Sequence, residues 1–172
     1  LGGRALFLGE ADYPRALAQI EDAPPVLSAL GQPQLLTRRM VGVVGARNAS
    51  LIGKRLAESF ASELAAAGVV VVSGLARGID ASAHAGALTG GTVAVMAGGV
   101  DVIYPEENRA LYTRIKGEGM LLSEIPLGVE PQGRHFPRRN RIISGLCSGV
   151  VVIEAAMVAS ASAPPVPAAG VG

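Results

Sequence analysis

Short apolar runs rich in β-branched residues recur along the chain, and helical patterns separate them. The first run, residues 40–45, carries no charge, which is typical of a strand buried on both faces. Similar runs follow at residues 69–72, 92–96, 120–123 and 150–153. Strands that alternate with helices predict βαβ crossovers. We therefore expect an α/β fold in which helices cover a parallel sheet.

The clearest helical pattern follows the first strand. Ser50 is a good N-cap residue, and Gly68 stands where the helix should end. Apolar residues recur every four positions between them and predict one buried stripe. That stripe consists of Ile52, Leu56, Phe60 and Leu64. Further helices are expected at residues 79–88, 106–115 and 138–146.

Composition and hydrophobic pattern divide the chain into three parts. Residues 1–39 contain Tyr13-Pro14 and Pro24-Pro25 and predict an irregular lead-in, with a short helix near residues 15–20, packed on the core. Residues 40–155 hold all the strand patterns and the remaining helix patterns. Residues 156–172 have no charge and no periodicity, so we interpret them as a low-complexity tail.

Composition excludes several classes of protein. With 49% hydrophobic and 17% charged residues, the 172-residue chain is not intrinsically disordered, and its net charge of +1 excludes a strongly basic protein. Apolar runs fall short of the roughly 18 residues that a membrane span needs, so no membrane association is expected. Cys147 is the single cysteine, which excludes a disulfide framework and a thiolate zinc cluster and fits a reducing cytoplasm. We expect neither a metal nor a cofactor.

Four loops leave the carboxyl ends of the predicted strands, where open parallel sheets bind ligands. They span residues 45–50, 73–80, 97–101 and 124–138, and three are rich in glycine. Each loop alone could be a tight turn, but three on one edge, with Arg47 and Arg77 among them, favour an anionic ligand. The fingerprints of dinucleotide and P-loop sites fail. Asn48 replaces the first P-loop glycine, and Arg55 replaces the Ser or Thr.

The most informative segment is residues 134–141, which holds four of the 15 basic residues. Guanidinium groups pair with phosphates, and Phe136, one of six aromatic residues, can stack on a base. The alternative is a solvated helix start, although cations there oppose the helix dipole. Asp80 and His84, four residues apart on a helix, could form an acid–base pair, an exposed contact or a cap. Cys147 is expected to be a buried thiol.

Four of these segments, in this order, resemble the signature of the DNA-processing protein A (DprA, or Smf) family. They are residues 43–47 (VVGAR), 73–80 (SGLARGID, with His84), 98–101 (GGVD, with Tyr104-Pro105) and 136–144 (FPRRNRIIS). The resemblance covers residues 12–155. It implies an extended Rossmann-like, three-layer domain with a mostly parallel sheet at residues 40–155, which binds single-stranded DNA.

The resemblance also implies a function without chemistry. Such proteins protect incoming DNA and assist RecA loading in natural transformation and recombination. They form homodimers and are not enzymes. Carried over by motif, the DNA-binding residues are Arg47, Gly74, Arg77, Phe136, Arg138, Arg139, Asn140 and Arg141. Our hypothesis is that Arg47, Arg138 and Arg141 neutralise phosphates, loop N–H groups cradle them, and Phe136 contacts a base.

The chain departs from the family pattern at both ends. The small helical domain and the winged helix of other members are absent from this sequence. After Ala156 the family continues with a Ser-Gly-Ser-Leu-type helix and another strand, so we expect a C-terminally truncated core whose dimer surface is incomplete. The rival function is a nucleotide-processing hydrolase of the lysine-decarboxylase-like (LOG) group, whose P-G-G-x-G-T loop is missing here. A third interpretation is a non-functional fragment.

Overall fold

A computed structural model describes residues 2–155, in which seven strands form one sheet with helices on both of its faces. The strands are β1 (Arg4–Phe7), β2 (Val26–Gly31), β3 (Met40–Gly45), β4 (Val70–Ser73), β5 (Thr92–Val95), β6 (Met120–Ser123) and β7 (Val150–Ile153). The α-helices are α1 (Leu51–Ala66), α2 (Ile79–Ala87), α3 (Arg109–Glu118) and α4 (His135–Leu146). Short 3₁₀ turns occur at Leu17–Gln19, Pro33–Thr37 and Glu106–Asn108. The tail predicted at residues 156–172 lies outside the described residues.

The strand order is β1-β2-β6-β5-β4-β3-β7. The β1–β2 and β2–β6 pairs are antiparallel, and the four other pairs are parallel. The α/β fold with a mostly parallel sheet is therefore confirmed. Because β3 to β7 run in one direction, their carboxyl ends and the loops that follow them lie along one edge.

The sheet separates two apolar layers, as alternating side chains on a strand require. Val70 and Val72 face α4 and join a cluster with Ile142 and Leu146. Val71 faces the opposite side and packs with α1 and α2. This arrangement confirms the three layers. No helix within residues 2–155 combines the length and the hydropathy needed to cross a membrane.

The lead-in is more regular than the sequence predicted. Residues 1–39 contribute two strands to the sheet, and the short helix near residues 15–20 is a single 3₁₀ turn. Leu6 and Leu27 are fully buried, and the Tyr13 hydroxyl donates to the Pro24 carbonyl oxygen at 2.7 Å. Three of the four β1 residues are exposed. The strand therefore lacks the apolar alternation that would have revealed it.

The predicted core stripe of α1 is wrong in its first half. Ile52 is 79% exposed and Leu56 is 56% exposed, while Phe60 and Leu64 are half-buried. The buried face instead carries small residues, namely Gly53, Ala57, Ala61 and Ala65. This face packs on Ala83 and Ala87 of α2. A Cβ at Gly86 of α2 would overlap the Glu58 carbonyl oxygen of α1, so close backbone approach selects small residues here.

Candidate nucleic-acid interface

Arg47 and Phe136 meet at the carboxyl edge of the sheet. Arg47 follows β3, and its guanidinium carbon lies 4.9 Å from the centroid of the Phe136 ring, in the first turn of α4. Tyr104, from the loop after β5, packs against the Phe136 ring, with ring centroids 5.9 Å apart. The seven ion pairs found within residues 2–155 do not involve Arg47. Its charge therefore remains available to an anion.

These three side chains border a cavity of about 240 Å³. Its walls combine apolar groups with backbone from the loops after β4 and β5. They include Gly74, Leu75, Ala76, Met96, Ala97, Gly98 and Pro105. A second cleft of about 520 Å³ lies between the ends of β3 and β7 and shares Arg47, Asn48, Ala76 and Phe136 with the first. Arg47 and Phe136 thus form the wall between two openings on the ligand edge.

The start of α4 is fixed to the sheet, which sets the position of Phe136. His135 is buried, and its Nδ1 atom lies 3.1 Å from the Ala97 carbonyl oxygen at the end of β5. The His135 N–H donates to the Gln132 carbonyl oxygen. Arg134, the residue before the helix, is exposed and, like Arg47, forms no ion pair within residues 2–155.

Gly74 and Arg139 are brought together, but below the surface. Arg139 is only 6% exposed, and its Nη1 atom donates to the Gly74 carbonyl oxygen at 2.6 Å and to the Val95 carbonyl oxygen at 2.7 Å. A Cβ at Gly74 would overlap this guanidinium. Burial lowers the pKa of Arg139. Asn140 is exposed, accepts from Arg139 Nε through its Oδ1 atom, and lines the second cleft.

Arg77 lines the cavity, and its charge is partly compensated. Its Nε atom lies 2.7 Å from Glu107 Oε1, and both side chains are more than half exposed. Exposed ion pairs of this kind are weak, since solvent screens them. Arg77 can therefore exchange Glu107 for another anion at small cost.

Arg138 and Arg141 share an acidic partner, Glu124, which lies outside the basic segment in sequence. Glu124 is 7% exposed, and its carboxylate oxygens lie 3.1 Å from Arg138 Nε and 2.6 Å from Arg141 Nη2. Arg141 is 20% exposed and also pairs with Asp22 of the lead-in at 3.0 Å. It therefore ties α4 to the lead-in. Arg138 is 62% exposed and remains accessible to solvent.

The N-terminus of α1, where related folds bind phosphate, is filled by a side chain of this protein. The backbone N–H and the hydroxyl of Ser50 donate to the Glu154 carboxylate at 2.8 and 2.7 Å. The Ser50 oxygen also accepts from the Gly53 N–H, which confirms the predicted cap. The two hydrogen bonds from Ser50 lower the pKa of Glu154, and the one from the backbone N–H has the larger effect. A phosphate would have to displace this carboxylate.

Asp80 and His84 do not form an acid–base pair. The Asp80 carboxylate accepts from the backbone N–H groups of Gly74 and Ala76. His84 is fully buried, and its Nδ1 atom lies 2.7 Å from the hydroxyl oxygen of Thr92. That hydroxyl donates to the Val71 carbonyl oxygen, so His84 Nδ1 carries the proton. Burial lowers the pKa of His84 to about 3, and the ring stays neutral.

Cys147 and groups of possible metal ligands are the remaining candidates for a chemical site. Cys147 is half-buried, and burial raises the pKa of its thiol to about 12, as an inert thiol requires. Within residues 2–155 there is no group of three His, Cys, Asp or Glu side chains arranged to hold a metal ion.

The predicted site residues did not include Tyr104, Asn48, Asn108, Glu124 and Glu154, although Tyr104 stood in a family motif and Asn48 and Glu124 stood in predicted ligand loops. Tyr104 and Asn48 lie in loops after strands, a position that could have singled them out. Glu124 stands directly after β6, so the same rule applies to it. No local pattern links Asn108 or Glu154 to the loops that they bind, because those contacts span 32 and 104 residues of sequence.

Comparison with known proteins agrees with this geometry. A family model described as DNA recombination-mediator protein A matches residues 4–163. The DNA processing protein DprA of Bacillus subtilis is 44% identical over 156 residues, which are 89% of this chain and 52% of that protein. The X-ray structure of DNA processing protein A from Streptococcus pneumoniae superposes with a TM-score of 0.85 at 42% identity, over 90% of this chain and 55% of that one.

A second solved structure addresses the single-stranded DNA binding mode of DNA processing protein A from Helicobacter pylori. It superposes with a TM-score of 0.84 at 30% identity, over 91% of this chain and 71% of that one. The chain spans about half the length of its Bacillus and Streptococcus relatives. These matches do not favour the rival hydrolase group. The chain belongs to the DNA recombination-mediator protein A family, as its motifs indicated.

Proposed function

We propose that this chain binds single-stranded DNA at the carboxyl edge of its sheet. The observation that carries the proposal is the Arg47–Phe136 contact at the mouth of the 240 Å³ cavity. A guanidinium that lacks an ion pair supplies a phosphate contact, and the adjacent ring supplies a stacking surface. Arg77, Arg134 and Arg138 add exposed positive charge along the same edge.

The shape of the site supports a single strand as the ligand. The cavity is walled by Tyr104, Phe136 and apolar side chains, which suit the face of one base. A base within a duplex is stacked and paired, whereas a base in a single strand can enter a pocket without breaking a base pair and therefore at a lower cost. In our proposal, Arg139 and Arg141 support this surface from beneath, Gly74 forms part of the cavity wall, and Asn140 borders the second cleft.

The wider role is proposed from the family. We propose that the chain protects incoming DNA and assists the loading of RecA, in the cytoplasm, during natural transformation and recombination. RecA and a second copy of the protein are its proposed protein partners. The proposed activity includes no chemical step. Asp80 and His84, the acid–base candidates, are held by backbone N–H groups and by Thr92, which supports this part of the proposal.

The test is fluorescence anisotropy of a labelled oligo-dT, with unlabelled single-stranded and duplex DNA as competitors. We expect single-stranded DNA to compete far better than duplex, and Arg47→Gln to weaken binding. The slope of log Kd against log salt should flatten by about 0.7, the value expected for one lost phosphate contact on a single strand.

Arg39→Gln is the matched control. Arg39 is an exposed arginine directly before β3, at the opposite end of the strand from Arg47. Arg39→Gln should leave both the DNA affinity and the salt slope unchanged. Equal losses in the two variants would show that binding follows overall charge, and equal competition by duplex would contradict the proposed ligand.

A further inference from the structure

The loop after β4 is held in place by side chains from three different elements. The carbonyl oxygen of Gly74 accepts from Arg139 Nη1 at 2.6 Å. The carbonyl oxygens of Leu75 and Ala76 accept from Asn108 Nδ2 at 2.9 and 3.3 Å. Three consecutive carbonyl groups are thus bound by α4 and by the 3₁₀ turn before α3.

The N–H groups of the same loop are bound as well. Asp80 Oδ2 accepts from the Gly74 N–H at 3.0 Å and from the Ala76 N–H at 3.4 Å. Asp80 is only 4% exposed. These two N–H groups therefore point into the protein, and they are not free to cradle a phosphate as the sequence hypothesis assumed. The loop acts as a wall of the cavity.

The wall has an unfavourable backbone conformation that these contacts support. Leu75 has a φ of +55°, in the left-handed region, which is unfavourable for a non-glycine residue. Its side chain is buried beside Met96 and Tyr112. Hydrogen bonds on both sides of Leu75, from Arg139 and Asn108, hold the turn that aims it there.

Arg139 links the wall to the aromatic side of the cavity. It lies on α4 three residues after Phe136, so both side chains leave neighbouring positions of the helix surface. The same Nη1 atom also donates to Val95 at the end of β5. Arg139 thereby fixes the distance between α4 and the ends of β4 and β5, which sets the separation between Phe136 and the loop.

We propose that Asp80, Arg139 and Asn108 are positioning residues of the DNA site. They set the width of the cavity by holding residues 74–76 against α4, and they do not touch DNA themselves. This inference rests on the proposed function of the same edge. It assigns Arg139 a role beneath the surface, and it assigns Asp80 and Asn108 a role in binding.

The experiment compares Asn108→Ala and Arg139→Gln with the unaltered chain and with Arg47→Gln. Oligo-dT binding is measured by anisotropy at five salt concentrations, at a temperature where thermal melts show every variant folded. Loss of the two Asn108 hydrogen bonds should weaken binding about tenfold. The salt slope should match that of the unaltered chain in both positioning variants, because no phosphate contact is removed, while Arg47→Gln flattens it.

Amide hydrogen exchange on the DNA-free protein separates positioning from a neutral contact with DNA. In Asn108→Ala, the amides of Gly74 and Ala76 should exchange faster than in the unaltered chain, because the loop is released on its carbonyl side. Asp80→Ala should expose them too, and Asp80→Asn should restore protection and affinity by returning one acceptor oxygen. Asn108 is partly exposed, so its variant gives a result even if a buried-site variant fails to fold.

Three results would overturn the inference while leaving the proposed function intact. The first is unchanged affinity in Asn108→Ala. The second is a flattened salt slope in Arg139→Gln, which would make Arg139 a phosphate contact. The third is weaker binding with unchanged loop exchange in Asn108→Ala, which would indicate a direct contact between Asn108 and DNA. A failure of the unaltered chain to bind oligo-dT would instead reject the proposed function and the inference with it.

Discussion

The Arg47 guanidinium carbon lies 4.9 Å from the centroid of the Phe136 ring, and this contact joins the loop after β3 to the start of α4. The two residues are far apart in sequence, yet they place a charge and an aromatic face at one point on the ligand edge. A nucleotide offers the complementary pair, a phosphate and a base. The contact therefore concentrates the two kinds of recognition that single-stranded DNA requires.

The Phe136 ring should contribute to DNA affinity through stacking. Phe136→Leu keeps an apolar side chain but removes the aromatic face, so we expect oligo-dT binding to weaken by roughly 1–3 kcal/mol. Anisotropy titrations at constant salt measure the change. Phe7→Leu is the matched control, since Phe7 is a 45% exposed ring on β1, away from the site. A comparable loss in both variants would contradict the role of the ring.

Arg138 and Arg141 should separate into a binding and a stability phenotype. Arg141→Gln removes the side chain that joins Glu124 to Asp22, and the loss of charged hydrogen bonds should lower the free energy of unfolding by about 2 kcal/mol. Arg138→Gln leaves Glu124 with Arg141 and should alter stability by less than about 0.5 kcal/mol. Urea denaturation measures both changes.

DNA titrations complete this comparison. Arg138→Gln should flatten the salt slope, whereas Arg141→Gln should bind DNA normally at temperatures where it is folded. The reverse pattern, with a stable Arg141 variant that loses DNA affinity, would place Arg141 at the DNA surface.

The buried face of α1 should tolerate no larger residue. Ala61→Leu adds volume where α1 packs closely on α2, and overpacking should cost about 1–3 kcal/mol of stability. Ile52→Ser alters a side chain that is 79% exposed and should change stability by no more than about 0.5 kcal/mol. Thermal and urea unfolding of both variants would test the assignment. A greater loss of stability in Ile52→Ser than in Ala61→Leu would instead support the buried stripe that the sequence predicted.

Sequence reasoning succeeded where one element determines its own pattern. The runs at β3 and β6 identified largely buried strands at their observed bounds, since a strand covered on both faces must be apolar throughout. The run at β7 also matched the observed bounds, although this strand lies at the edge of the described sheet and is mostly exposed. Sequence reasoning failed where a neighbouring element determines which residues are buried. The face that α1 buries depends on how closely α2 approaches, and a helix that packs through Ala and Gly leaves its larger residues outside.

The candidate site shows the same contrast between features that one segment reveals and features that depend on distant segments. Arg47 and Phe136 could be found because strand ends and basic clusters are visible in sequence. The pairing of Arg141 with Asp22 and Glu124 could not, because the acidic residues lie well before the basic cluster in sequence. The basic segment therefore looked uniformly available to phosphate. In the structure, Arg138 is exposed, Arg139 is bound to carbonyl groups, and Arg141 is paired.

The buried His84 should make stability depend on pH. Its pKa is about 3 in the folded chain against 6.5 ordinarily, so the unfolded chain binds the extra proton as pH falls below 6.5. Stability from this residue is present above pH 6.5 and lost below it. Between pH 7.5 and 5.5 the free energy of unfolding should fall by about 1.4 kcal/mol through His84.

Urea denaturation at the two pH values would measure this dependence. His84→Gln keeps a donor for Thr92 and has no titrating ring. Its free energy of unfolding should therefore fall less between the two pH values, by the amount that His84 contributes. Identical pH dependence in the two proteins would show that folding does not lower the pKa of His84.

Photocrosslinking to an oligonucleotide that carries 5-iodo-deoxyuridine tests the location of the DNA most directly. Aromatic side chains in contact with the base form adducts that mass spectrometry assigns to single residues. The chain has three Tyr and three Phe, and only Tyr104 and Phe136 line the cavity beside Arg47. We expect adducts at one or both of these residues, which Arg47→Gln should diminish. Adducts confined to other aromatic residues, such as Phe7 or Phe60, would contradict a DNA site at the carboxyl edge of the sheet.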